Sequence, residues 1–350
     1  QLGSCKFGST DHMMKTVRAM GRELMNASPT ELCIGNVIIR VLYFIREEYS
    51  QKLRMVEESG GGLPLPMGKR SHRSGSEGEH SRRDRSASMA SSAGSERAED
   101  VPDACDAHGS TEKLDFLLSF PDMRQSIIGA INELNDELDN VRSTISESAQ
   151  EHIHEDECIL TFGYSEPIES FLKAACRKRK FQLIVAEAEP GLSGHRLANE
   201  LSKHSNIAVT IVPDSGVFAL MARVNKVLIS PSAVLVDGGA ICSTGNLMVA
   251  IAAKEYSVPV VGIAGTYKLT PRFSHTQDRV LNNLLCPCDA IRYEESDVNF
   301  NNVDVVVPAA EYVPPELINL YVTNNGSHQP SYVYRLMSEY YHPRDHYLLE

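Results

Sequence analysis

Cys158-Ile159-Leu160-Thr161 is followed by a turn at Phe162-Gly163-Tyr164-Ser165, a segment with helical spacing over 165–179, and then Phe181-Gln182-Leu183-Ile184-Val185-Ala186. The two apolar runs alternate too little to have one wet face, so they read as parallel strands covered on both sides. The unit recurs as far as Tyr267, with apolar runs at 207–212, 226–230 and 259–263 and helical spacing at 193–204, 215–224 and 244–256. Repeated strand, helix, strand predicts an α/β fold with a Rossmann-like, doubly wound parallel sheet over 155–350. Such a sheet holds ligands beyond the carboxyl ends of its strands, here the turns at 162–165, 187–190, 213–215 and 231–233. None carries a dinucleotide or P-loop glycine pattern, and Gly238-Gly239 with Gly245 has the wrong spacing, so no cofactor is expected.

Outward from the sheet, residues 11–26 place Met14, Val17, Met20 and Leu24 on one helical stripe. Ser28-Pro29-Thr30-Glu31 is a start signal for a long amphipathic helix reaching about residue 58. A second long helix, from 121 to about 154, turns Met123, Ile127, Ile131, Leu134, Leu138, Val141 and Ile145 inward. Its opposite face carries Glu133, Asp136, Glu137 and Asp139, a solvated face or an acidic docking surface. Residues 1–58 and 114–154 are expected to form a helical domain. Between them, 59–113 is rich in Gly, Ser, Pro, Arg and Glu and buries too little to offset its ordering entropy, so disorder is expected. Within it, Arg82-Arg83-Asp84-Arg85-Ser86-Ala87-Ser88 reads as a tolerated surface insertion or as a kinase target. After the sheet, 266–302 is irregular, 303–307 is a further strand, Pro314-Pro315 opens a helix, and Pro330 opens the last one over 331–341.

The chain has 350 residues and a net charge of −12, which opposes a grip on nucleic acid or anionic lipid. Its eight scattered cysteines, several inside predicted core elements, fit a reducing compartment. The lack of a signal peptide or of an apolar run of about 18 residues points to the cytosol rather than a membrane. The absence of Met at position 1 suggests that Gln1 is not the true start. Cys286-Pro287-Cys288 supplies too few thiols for zinc, and Pro343 breaks the helical spacing of His342 and His346, so no metal site is expected. The run Arg177-Lys178-Arg179-Lys180 complements the dipole of the helix it ends, with an RNA patch as the other reading.

Several segments together resemble one family. They include Ile34-Gly35-Asn36-Val37-Ile38-Ile39-Arg40-Val41-Leu42, Ala130-Ile131-Asn132-Glu133-Leu134 and Arg177-Lys178-Arg179-Lys180-Phe181. Arg223-Val224-Asn225-Lys226-Val227, Tyr312-Val313-Pro314-Pro315-Glu316-Leu317-Ile318 and Tyr334-Arg335-Leu336-Met337-Ser338-Glu339 complete the set. The chain resembles the alpha, beta and delta regulatory subunits of eukaryotic translation initiation factor 2B, except over 59–113, and the basic run and the Tyr-Val-Pro-Pro stretch look most like the beta type. The resemblance implies a non-catalytic regulatory subunit of the guanine nucleotide exchange factor for initiation factor 2, acting in the integrated stress response. Implied partners are the delta subunit most directly, the alpha, gamma and epsilon subunits, and the alpha chain of initiation factor 2, whose phosphorylation it would sense.

The wider family includes methylthioribose-phosphate and ribose-bisphosphate isomerases. Where those enzymes carry a catalytic Cys, a phosphate-gripping Arg and a catalytic Asp, this chain has Gly163, Glu189 and Ser232. Glycine neither gives nor takes a proton, and a carboxylate repels phosphate, so isomerase activity is not expected. A sugar-phosphate-binding metabolic protein is the alternative from another class, and the alpha or delta subunit the alternative within the family. In that role the acidic face of the second long helix, Glu133 foremost and after it Ser126 on the same helix, would meet the basic surface of the alpha chain of initiation factor 2; by the family pattern, Asp156 and Gln182 would face the joint with the delta subunit.

Overall fold

The computed structural model describes residues 10–58, 120–273, 283–291 and 303–348; the expected insert at 59–113 and its arginine-serine stretch lie outside them. Three long helices come first: α1 (Thr10–Ala27), α2 (Leu32–Glu58) and α3 (Phe120–Glu147), followed by the single turn α4 (Ala149–His152). Then β1 (Cys158–Phe162), α5 (Glu166–Ala175), β2 (Phe181–Ala186), α6 (Ser193–Leu201) and β3 (Ile207–Val212) alternate as the spacing predicts. After the short α7 (Val217–Leu220) come β4 (Lys226–Ile229), β5 (Ala233–Leu235), β6 (Ala240–Ser243), α8 (Asn246–Glu255), β7 (Val260–Ile263) and β8 (Leu269–Thr270). The last elements are β9 (Ala310–Val313), β10 (Leu320–Thr323), β11 (Gly326–His328) and α9 (Val333–Tyr340).

The main sheet has seven strands in the order β11-β10-β7-β4-β1-β2-β3, all parallel except β11. From β1 the chain winds outward through β2 and β3, then returns to the other side of β1 through β4. The strand order therefore reverses between β1 and β4, where open α/β sheets form their crevice. One face packs on α3, α5 and α6 through Ile159, Leu183, Val185 and Phe171; the other meets α7, α8 and α9 through Leu160, Ile184 and Val227.

Five expectations need correction. A second sheet, β8-β5-β6-β9, grows from the segment after β4 that the sequence suggests is only a turn and irregular chain. Residues 303–307 are not a strand; the strand lies further on, at Ala310–Val313. Pro314-Pro315 opens only a 3-10 turn, Pro315–Leu317, and the expected helix over 215–224 shrinks to α7 between two 3-10 turns. The inner stripe of α1 runs through Met13 and Val17, while Leu24 is exposed.

The stripe of α2 is buried through Ile39, Leu42 and Ile45. Buried Asn36 pins this helix to the second sheet, its Nδ2 donating to the Tyr267 carbonyl at 3.0 Å and to Thr270 Oγ1 at 2.9 Å. Arg40 donates to the Tyr340 carbonyl at 3.1 Å and lies over the Tyr340 ring at 4.1 Å. A 3-10 segment, Pro343–Leu348, inserts the fully buried carboxylate of Asp345 between α1 and α2. Arg18 and Arg46 each donate to it at 2.9 Å.

Candidate functional site

The turns after β1, β2 and β4 hold the three positions singled out by the isomerase comparison. Gly163 ends β1 with φ +65°, and its amide donates to the Ala186 carbonyl at 3.2 Å. A Cβ there would lie 2.9 Å from Ser193 Oγ and 3.1 Å from Ala188 Cβ, so a side chain at this position meets its neighbours at once. Both the strained φ and the crowding favour glycine.

The turn after β2 is shaped by Asp214, whose carboxylate accepts the amides of Ala188 at 2.9 Å and Glu189 at 2.8 Å. This leaves the Glu189 side chain exposed, beside the half-buried Glu187 that faces His195 Nε2 at 3.4 Å. Gly163 and Glu189 thus sit on adjoining turns, joined through Ala188.

Ser232 lies apart from them. Its amide and hydroxyl both donate to the Ile241 carbonyl, at 2.8 and 2.9 Å, fixing the start of β5 against β6. It lines a cleft of about 600 Å³ with Thr30, Glu31, Ser243, Arg272 and Asn283. Behind it, half-buried Lys268 donates to the Pro231 carbonyl at 2.8 Å, and Cys33 Sγ donates to the Ser232 carbonyl at 3.7 Å. Burial lowers the Lys268 pKa and raises that of the Cys33 thiol, each toward its neutral form. Sequence reasoning missed both residues; the one available signal was a lysine inside the otherwise uncharged run from Val258 to Thr270. Among the described residues no group of three or more His, Cys, Asp or Glu side chains is placed to hold a metal, and no helix is long and apolar enough to cross a membrane.

The four remaining positions fall in two places. On α3, Glu133 is exposed and Ser126 half-buried. Glu137, expected on the solvated face, is half-buried and accepts from Asn324 Nδ2 at 3.1 Å and Thr266 Oγ1 at 3.3 Å, tying α3 to the loops after β7 and β10. Asp156 and Gln182 lie together at the amino ends of β1 and β2. Asp156, exposed with φ +60°, donates its amide to the Lys180 carbonyl at 2.8 Å.

Gln182 pairs with Cys158 on one side and Ala208 on the other, and Ile184 pairs with Thr210. All five side chains point to the α7 and α8 side of the sheet, by the alternation that sends Ile184, Ala186 and Val212 there. Because α7 is one turn long, it leaves Gln182, Ala208 and Thr210 exposed as an open shelf. Near α7 stand further exposed apolar side chains: Phe218 packs edge-on against Tyr256 at 5.3 Å, with Met248 and Ile251 on α8.

Comparison with known proteins places these features in context. The model of the Initiation factor 2 subunit family matches residues 4–330. Translation initiation factor eIF2B subunit beta of Dictyostelium discoideum is 41% identical over 97% of this chain and 87% of its own length. The subunit of the same name in Schizosaccharomyces pombe is 34% identical over 98% of this chain and 88% of its own. The alpha subunit of Dictyostelium discoideum is 28% identical over 63% of this chain and 70% of its own. A crystal structure of eIF2B beta from Chaetomium thermophilum has the same fold, with a TM-score of 0.67 at 22% identity, covering 98% of this chain and 84% of that one. The chain belongs to the initiation factor 2 subunit family.

Proposed function

We propose that the chain is a non-catalytic regulatory subunit of the cytosolic guanine nucleotide exchange factor for translation initiation factor 2, built from a helical domain (1–58 and 114–154) and a Rossmann-like domain (155–350). The observation that carries this reading is the likeness, along almost the whole chain, to proteins named eIF2B subunit beta. In this role the chain assembles with homologous subunits, delta most directly and also alpha, gamma and epsilon. A structural neighbour described as the tetrameric eIF2B-beta2-delta2 complex supports that pairing. Asp156 and Gln182 would face the joint, and the open shelf beside Gln182 supports this, since a partner would cover side chains the chain's own helices leave bare.

Glu133 and, less directly, Ser126 would contact the alpha chain of initiation factor 2 and so couple its phosphorylation in the stress response to exchange. The exposure of Glu133 fits contact with a basic partner surface. Gly163, Glu189 and Ser232 are then degenerate isomerase positions, and the lack of room for a side chain at Gly163 supports a role without turnover. The test is nucleotide release from phosphorylated and unphosphorylated initiation factor 2 by the reconstituted complex, with and without this chain. Equal rates on both substrates whether or not the chain is present would remove the sensing role. Glu133→Lys is expected to weaken substrate binding by about 1 kcal/mol, through charge reversal at the contact.

The cleft at Ser232 favours a second reading, in which a small phosphorylated metabolite binds there. A thermal-shift series with sugar phosphates separates the two: a melting temperature that climbs with ligand concentration supports binding.

A further inference from the structure

The run Arg177-Lys178-Arg179-Lys180 ends α5 in a chain of net charge −12, and the function proposed above makes no use of it. As a complement to the helix terminus it is not needed for hydrogen bonding. The Ala175 carbonyl accepts the amides of Lys178 and Arg179, at 3.2 Å each, and the Cys176 carbonyl accepts Asn206 Nδ2 at 2.8 Å. Two of the four side chains are engaged elsewhere: Lys178 Nζ donates to Gln150 Oε1 at 2.9 Å, and Arg179 Nη1 meets His154 Nδ1 at 3.0 Å. Arg177 and Lys180 are exposed, and among the described residues neither has a side-chain hydrogen bond or ion pair.

Arg177 opens onto a cleft of about 300 Å³ between the ends of α5 and α6, lined also by Lys173, Cys176, His204, Ser205 and Asn206. No carboxylate lines it. Lys173 on its wall is ion-paired to Glu169 one turn back on α5, and Arg177 also borders a larger cleft, of about 980 Å³, that Asp139, Glu147 and Glu166 line. The guanidinium fork, the His204 ring and the Ser205 hydroxyl are donors suited to the oxygens of a tetrahedral anion. Lys178 and Lys180 follow Arg177 in the run, while Lys203, next to His204, is ion-paired to Glu200 at 2.7 Å.

We propose that this cleft is a binding site for a phosphate-type oxyanion, free or carried on a larger molecule, with Arg177 as its principal ligand. The test is thermal unfolding of the full chain titrated with inorganic phosphate, ionic strength being held constant with sodium chloride. A saturable rise in melting temperature, with its midpoint in the millimolar range, is expected. Arg177→Ala should move that midpoint at least fivefold higher and Arg177→Lys should recover part of the loss. Arg335→Ala, a change at an exposed arginine on α9, should leave it unmoved. Arg177 is exposed, so these variants are expected to fold, which the unliganded melting temperature checks. O-phosphoserine run in parallel identifies the source: tighter binding than phosphate supports a carried phosphoryl group, and equal binding the free ion. No stabilisation beyond that of chloride, or a midpoint unchanged in Arg177→Ala, would overturn the assignment.

Discussion

Replacing Asp345 by alanine should unfasten the amino-terminal helices from the rest of the molecule. The carboxylate is fully buried, and Arg18 and Arg46, its two partners, are 19% and 21% exposed. Removing one member of a buried ion pair costs about 3–5 kcal/mol, and the partial exposure of both guanidinium groups selects the low end, about 3 kcal/mol. At roughly 2–4 °C per kcal/mol, the melting temperature should fall by about 6–12 °C. Burial pushes the Asp345 carboxyl up, but hydrogen bonds from Arg46 and Arg18 outweigh this and hold it below its ordinary value. Its contribution is therefore complete above the unfolded value of about 3.9 and is lost as pH falls toward the folded one. Urea unfolding of wild type and Asp345→Ala across pH 7 to pH 3 should show a gap that is constant near neutrality and narrows in acid. Hydrogen exchange in α1 should quicken in the variant at pH 7. A loss under about 1 kcal/mol, or a gap as wide at pH 3 as at pH 7, would refute the claim that this carboxylate clamps the two helices.

Three further outcomes follow from the packing. Gly245 has φ +105°, and a Cβ there would lie 2.1 Å from Phe162 Cζ, so Gly245→Ala should cost about 2–4 kcal/mol in equilibrium unfolding. Lys268 is half-buried with its pKa held down by desolvation, so Lys268→Met should gain on the order of 1 kcal/mol at pH 7. Because wild type gains stability as pH climbs from the folded pKa toward the unfolded one, near 10.4, that advantage should shrink toward pH 10, as unfolding at pH 7 and pH 9.5 would reveal. Thr210→Lys puts a charge on the open shelf; sedimentation with a delta-type partner should show at least tenfold weaker association, while the melting temperature of the lone chain stays unchanged.

The parallel core was legible because the runs in β1, β2, β4 and β7 are apolar on both faces, which only a doubly covered sheet requires. The run in β3 looks the same in sequence, yet Ala208, Thr210 and Ile211 are exposed; whether a helix covers a strand depends on a remote element, here the single turn of α7. The second sheet was missed because its strands are two to four residues long, too short for any period to register. Residues 303–307 misled for the opposite reason: Val303 and Val306 are 56% and 63% exposed, so the apolar run does not mark a ladder. At the candidate site, the glycine after β1 could be read from sequence, whereas the separation of Ser232 from Gly163 and Glu189 could not, since it depends on how the second sheet folds over the end of β4. Glu137 was assigned to water because helical spacing gives the direction of a side chain, and not what stands opposite it.

The clamp at Asp345 also bears on how the molecule is made. Arg18 and Arg46 precede their shared carboxylate by 327 and 299 residues. A ribosome adding roughly 5–20 residues per second needs on the order of 15–65 s to cover that distance. Until then the α1–α2 hairpin lacks the carboxylate that bridges Arg18 and Arg46, so this clamp can close only after every described strand of both sheets has been synthesised.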